Sequence, residues 1–219
     1  MKNKIFIIAS VAIALGLFAV VSMQSNNSAE TTQTQSATSV QSMVDPAMFV
    51  RPHSPTYGPM MAKVQVVEWF DPECESCRAF HPVFKKIKES YQDQVHFVLR
   101  YMPYHKNSMY AASVLEEARE LGKFDQALDL MYETQPEWAD HHNPKPELVP
   151  KILAKLGIPA DKLDPNTVIK KHGHKIDQDQ KDGEQVGVRG TPSFFVNGQY
   201  VRELGDAPLR ASIEAALKQ

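Results

Sequence analysis

The only two cysteines of the 219-residue chain, Cys74 and Cys77, stand three positions apart in Cys74-Glu75-Ser76-Cys77. A pair at i and i+3 on a helix start is close enough to bridge with little backbone movement. The first sulfur sits among the unpaired N–H groups of the helix end, which favour an anion and increase its thiolate fraction. The second lies a turn deeper, positioned to attack a mixed disulfide formed at the first, so the spacing suits thiol–disulfide exchange. A c-type haem site needs histidine directly after the second cysteine, where Arg78 stands. A zinc site needs two further ligands. His81 lies one turn on, and His141-His142 and His172-x-His174 complete a set only if the fold brings them near. As a structural staple, a bridge this short closes too small a loop to stabilise much.

The elements that must hold this pair follow from periodicity. Residues Ala62 to Phe70 alternate and then turn continuously apolar, the pattern of a strand entering a buried sheet, and Asp71-Pro72 breaks it. A helix is predicted from Cys74 to Tyr91, kinked by Pro82, and a second strand from Val95 to Tyr101. This β-α-β start implies a parallel pair with a right-handed crossover. From Asn107 to about Gln185 the pattern is helical: Met109 leads into Leu115, Ala118 and Leu121, with Gly122 placed to end that helix, and further helices are read over Phe124–Tyr132, Pro146–Leu156 and Asn166 to about Asp182. Strands Ser193–Val196 and Gln199–Arg202 flank Asn197-Gly198, a strong hairpin signal, and Asp206 is expected to cap a last helix.

Ahead of this region, Lys2 and Lys4 precede a charge-free apolar run from Ile5 to Val21. A basic start before an apolar stretch is the export pattern, long for a cleaved signal and slightly short for a full span. Residues 1–22 are therefore read as a signal peptide or an N-terminal membrane anchor, with a possible tether through 5–21. Residues 23–45 are rich in Ser, Thr and Gln, carry almost no charge, and read as a flexible linker. As random coil such a segment spans roughly 25–30 Å. With 24 basic against 26 acidic residues, the chain lacks the basic excess of a general nucleic-acid binder.

Two stretches together carry a family resemblance. Val67-Glu68-Trp69-Phe70-Asp71-Pro72-Glu73-Cys74-Glu75-Ser76-Cys77 resembles the active-site strand and helix start of DsbA-like thioredoxin-fold oxidoreductases. Gly190-Thr191-Pro192-Ser193-Phe194-Phe195-Val196-Asn197-Gly198 is similar to that family's cis-proline loop and following hairpin. The resemblance implies an α/β thioredoxin fold over residues 46–219, with a helical insertion at about 106–185 between its βαβ and ββα halves. It implies Cys74 as nucleophile, Cys77 as resolving thiol, and Thr191 and Pro192 as the loop that positions a protein substrate. It makes Glu68 the buried acid near the disulfide, where enclosure raises a carboxyl pKa and lets it relay a proton to or from Cys77. It further implies no dissociable cofactor beyond the redox-active pair, no metal, a membrane redox partner that recycles the pair, and a periplasmic or other extracytoplasmic location. The sequence departs from the strongly oxidising members, which carry Pro-His between the cysteines where this chain has Glu75-Ser76. Glu73 and Glu75 put negative charge beside Cys74, which opposes a thiolate and points to a milder oxidant, with net oxidase, isomerase and reductase directions all open.

Overall fold

The computed structural model describes residues 45–219. The expected signal or anchor and residues 23–44 of the expected linker lie outside the described residues. Among the described residues no helix is long and apolar enough to cross a membrane.

The first elements are β1 (Thr56–Tyr57), β2 (Val64–Phe70), α1 (Glu75–Tyr91) and β3 (Val95–Tyr101). A helical block follows: α2 (Ser108–Glu120), α3 (Phe124–Glu133), α4 (Gln135–Trp138), α5 (Val149–Leu153) and α6 (Pro165–Val186). The chain ends with β4 (Ser193–Val196), β5 (Gln199–Tyr200) and α7 (Asp206–Leu217). The sheet order is β1-β3-β2-β4-β5, with β2 parallel to β3 and antiparallel to β4. This is the thioredoxin fold expected from the sequence, with the helical insertion between its halves.

Period-2 alternation divides β2 between two cores. Val64, Val66 and Phe70 face the larger one, with Phe84 and Ile87 of α1, while Val67 and Trp69 face a smaller one with Phe49, Val98 and Phe195. Glu68 falls in the first series and so points toward the α1 side. The buried residues of α1 (Cys77, Phe80, Phe84, Ile87 and Tyr91) form one stripe, and the helix runs on through the exposed Pro82. Both central residues of the β4–β5 turn have positive φ, Asn197 at 46° and Gly198 at 77°, as the hairpin signal requires.

Helix α6 covers the smaller core and comes unusually close to the sheet. A Cβ at Gly183 would lie 2.7 Å from Trp69 Nε1 and 3.0 Å from Met102 Sδ, so only glycine fits there without movement. Charged groups complete the contact. Arg100 on β3 is fully buried, donating to Asp179 (2.8 Å) and Asp182 (2.6 Å) of α6. Arg51 also donates to Asp182 (2.7 Å), His53 pairs with Asp179 (2.7 Å), and Arg100 reaches the Met48 carbonyl.

Several local readings need correction. By sequence, Lys170-Lys171 with Lys175 and Lys181 read as a solvated helix face offset by Asp177, Asp179 and Asp182; in the fold Asp179 and Asp182 are the buried partners of Arg100, and Lys171 and Lys175 pair with Glu116, Glu117 and Glu120 of α2. Asp206 is the first residue of α7 and bonds Arg210, while Gly205 occupies the cap position. The stretch Pro146–Leu156 is not one helix but a 3-10 turn, α5, and a second 3-10 turn, as its two prolines would favour. The two-residue β1 was too short to announce itself by alternation.

Candidate active site

The loop leaving β2 is built around Asp71, whose side chain is fully enclosed. Its carboxylate accepts from the Glu73 N–H (2.8 Å), the Tyr104 N–H (2.9 Å) and the Ser108 hydroxyl (2.5 Å). It also holds His105 Nδ1 at 2.7 Å. From the insertion, Gln135 Nε2 donates to the carbonyls of Pro72 (3.0 Å) and Cys74 (3.1 Å). These bonds anchor both flanks of the turn that delivers Cys74 to the start of α1.

Cys74 occupies the N-cap position of α1, with extended backbone (φ −79°, ψ 125°) and 7% exposure. Its Sγ lies 3.3 Å from the Thr191 carbonyl oxygen, to which the thiol donates, and the Thr191–Pro192 peptide is cis. The fold thus brings the two ends of the resemblance together across 117 positions. Cys77 lies on the buried stripe, 1% exposed, and accepts a weak bond from the Asp71 N–H at 3.5 Å. Both are free thiols.

The two sulfurs titrate apart. The Cys74 thiol is pulled down to about 5, chiefly by hydrogen bonding with the Cys77 side chain, then by the Thr191 side chain and the N–H groups of Cys77 and Ser76, against burial. The Cys77 thiol is pushed well above its ordinary value, first by burial, then by its bond to Cys74 and that sulfur's charge. The carboxylates expected to oppose the thiolate are engaged elsewhere. Glu73 is buried and accepts from the backbone and side chain of Asn107 (2.7 and 2.8 Å), and Glu75 faces His141 at 3.4 Å.

Glu68 is enclosed on the α1 side, with its pKa raised to about 8 by burial and partly restrained by Lys88. Lys88 in turn sits 3.8 Å above the Tyr57 ring, with its pKa lowered by burial. Once ionised, Glu68 also pushes the Cys77 thiol up, because two negative charges would then sit close together.

Three of the histidines considered as zinc ligands have other neighbours. His81 bonds Asp129 (2.6 Å), His172 bonds Glu117 (3.0 Å), and the ring of His141 stacks on His105 at 4.9 Å. Among the described residues, one group of three possible ligands converges, Glu117, Glu120 and His172, and it contains no cysteine and is already paired with Lys171. Sequence reasoning missed Asp71, which read only as a strand breaker, and His105 and Gln135. The latter two act across 34 and 61 positions, and no local pattern announces such contacts.

A family model described as thioredoxin matches residues 51–215. Disulfide bond formation protein D of Bacillus subtilis is 26% identical over 176 residues, covering 75% of this chain and 77% of that protein. The Na(+)/H(+) antiporter NhaA of Herminiimonas arsenicoxydans is 28% identical over 164 residues, which cover 73% of this chain but 25% of the antiporter. The chain therefore spans about a quarter of the length of the first curated relatives it matches. Among solved structures, oxidised BdbD from Bacillus subtilis superposes with a TM-score of 0.68 at 24% identity, covering 76% of this chain and 94% of that one.

Proposed function

The chain belongs to the thioredoxin family, and from that premise we propose that it is a thiol:disulfide oxidoreductase working on protein substrates through Cys74 and Cys77. One observation carries this reading: the two adjacent sulfurs are driven in opposite directions, the outer toward thiolate at a helix start and the inner toward thiol under cover. In the oxidising direction a substrate thiolate attacks Cys74 Sγ of the Cys74–Cys77 disulfide. The S–S bond breaks, its electron pair passes to Cys77 Sγ, and that sulfur takes a proton. A second substrate thiolate then attacks the substrate sulfur of the mixed disulfide and expels Cys74 as a thiolate. Two substrate thiols become a disulfide, and the enzyme is left as the dithiol.

Glu68, protonated up to about 8, is the proposed donor of the Cys77 proton. The Thr191 backbone beside cis-Pro192 is the proposed docking edge for an extended substrate, in the manner of strand addition. A thiolate stabilised in the reduced protein makes the disulfide the better oxidant, which favours net disulfide donation over the milder role inferred from Glu73 and Glu75. Running the same steps backward gives reduction, and alternating them gives isomerisation. No dissociable cofactor is required, since the electrons travel through the sulfurs. A membrane redox partner that reoxidises the pair, and an extracytoplasmic, periplasm-facing position set by residues 1–22, complete the proposal.

The test is equilibration of the full-length protein with glutathione, together with oxidation of a reduced protein substrate. The expected outcome is turnover in wild type, a trapped mixed disulfide at Cys74 in Cys77→Ser, and none in Cys74→Ser. A wild-type protein that neither oxidises protein thiols nor reduces protein disulfides would refute the reading.

A further inference from the structure

The residues between the cysteines carry no cation, yet the Cys74 thiol lies far below its ordinary value. A cation reaches the site from another element. His105, on the loop after β3, is locked at Nδ1 by Asp71 (2.7 Å), and its backbone N–H bonds the same carboxylate at 3.2 Å. Asp71 is also the residue whose carbonyl accepts the Cys74 N–H at 3.1 Å, closing the turn under the nucleophile. On its other side the His105 ring stacks on His141, which faces Glu75, the neighbour of Cys74. The imidazole therefore lies between Asp71, which closes the turn before Cys74, and His141, which faces Glu75, and it stays about a quarter exposed.

We infer that His105, fixed by Asp71, is a positioning residue whose imidazolium holds negative charge on Cys74, so that its charge and the redox state of the cysteine pair are linked. The inference rests on the exchange reading above. The charged and titratable groups facing His105 are Asp71, Glu73, Cys74 and the stacked His141. The His105 pKa is raised to about 9, first by its bond to Asp71 and, further down, by the charge of Cys74. The imidazole is thus protonated at neutral pH. The leading causes on Cys74 itself are the bonds from Cys77, the Thr191 side chain and the helix start, and His105 is not among them. His105 is a contributor of second rank, and the expected effect is modest.

Thiolate absorbance of the reduced protein, followed against pH, is expected to place the Cys74 midpoint roughly half a unit higher in His105→Gln than in wild type, about a threefold loss of thiolate preference. At a fixed glutathione ratio the variant is expected to hold about threefold more disulfide, and His105→Lys, which keeps a cation, to recover most of the difference. Linkage is reciprocal, so the His105 imidazole of wild type, followed by NMR, is expected to titrate higher in the reduced than in the oxidised protein. This last measurement needs no variant and decides the matter even if His105→Gln fails to fold. An imidazole midpoint identical in both redox states, or an unmoved Cys74 midpoint in a folded His105→Gln, overturns the inference. Redox-linked titration without any turnover of protein thiols would instead sink the exchange reading and leave the linkage standing.

Discussion

At the scale of single residues, Glu68 carries the sharpest consequence. In the unfolded chain it ionises near its ordinary 4.5, and in the fold burial holds it neutral up to about 8. Between those values the folded protein keeps a proton that the unfolded chain has lost. Its contribution to stability is whole below 4.5 and drains away as pH rises toward 8, by about 1.4 kcal/mol for each pH unit in the window. Glu68→Gln retains the shape and removes the titration. Chemical denaturation is expected to show the variant nearly equal to wild type near pH 4 and more stable by a few kcal/mol near pH 8. A flat difference across that range would mean that Glu68 is already ionised in the fold. On the proposed role of Glu68, the same substitution is expected to slow release of mixed disulfides formed at Cys74, because Cys77 then lacks a carboxyl to exchange its proton with.

Among the elements, α6 is the one whose position hangs on a single atom. Alanine is the better helix former by about 1 kcal/mol, yet Gly183 sits inside this 22-residue helix because a Cβ there meets the Trp69 indole. Gly183→Ala is expected to cost about 1–3 kcal/mol net in denaturant unfolding, as overpacking does when two rigid groups must part. A stabilised variant would show that the indole moves freely. The elements were also where the sequence was most readable. Strand Val95–Tyr101 and the hairpin about Asn197-Gly198 are where alternation and turn chemistry put them, since both signals are local. The cysteine pair was legible from its own spacing, whereas the Thr191-Pro192 loop was legible only through the family resemblance. The enclosure of Asp71 and the reach of Gln135 were not, because each depends on which distant helix arrives beside it. Asp179 and Asp182 were misread on the same ground: helical spacing gives a face, but not whether that face meets water or Arg100.

Across the whole molecule, a buried charge cluster joins segments far apart in sequence. Arg100 binds the 45–54 stretch to α6 through Met48, Asp179 and Asp182, and Arg51 and His53 close the same cluster. Removing one member of a buried, hydrogen-bonded pair leaves charge without a partner and costs about 3–5 kcal/mol. Arg100→Ala is expected to destabilise by that order and to speed hydrogen exchange in residues 45–54, read by mass spectrometry. Exchange unchanged there would mean that Phe49, packed 5.7 Å from the Trp69 ring and 5.4 Å from Phe195, suffices to hold the stretch. The clip made by Gln135 has a different reach. With one amide occupying the carbonyls of both Pro72 and Cys74, the insertion ties down the backbone on both sides of Glu73. Under the proposed exchange, the adjustment that a shared sulfur bond demands falls more on the visiting chain than on this turn.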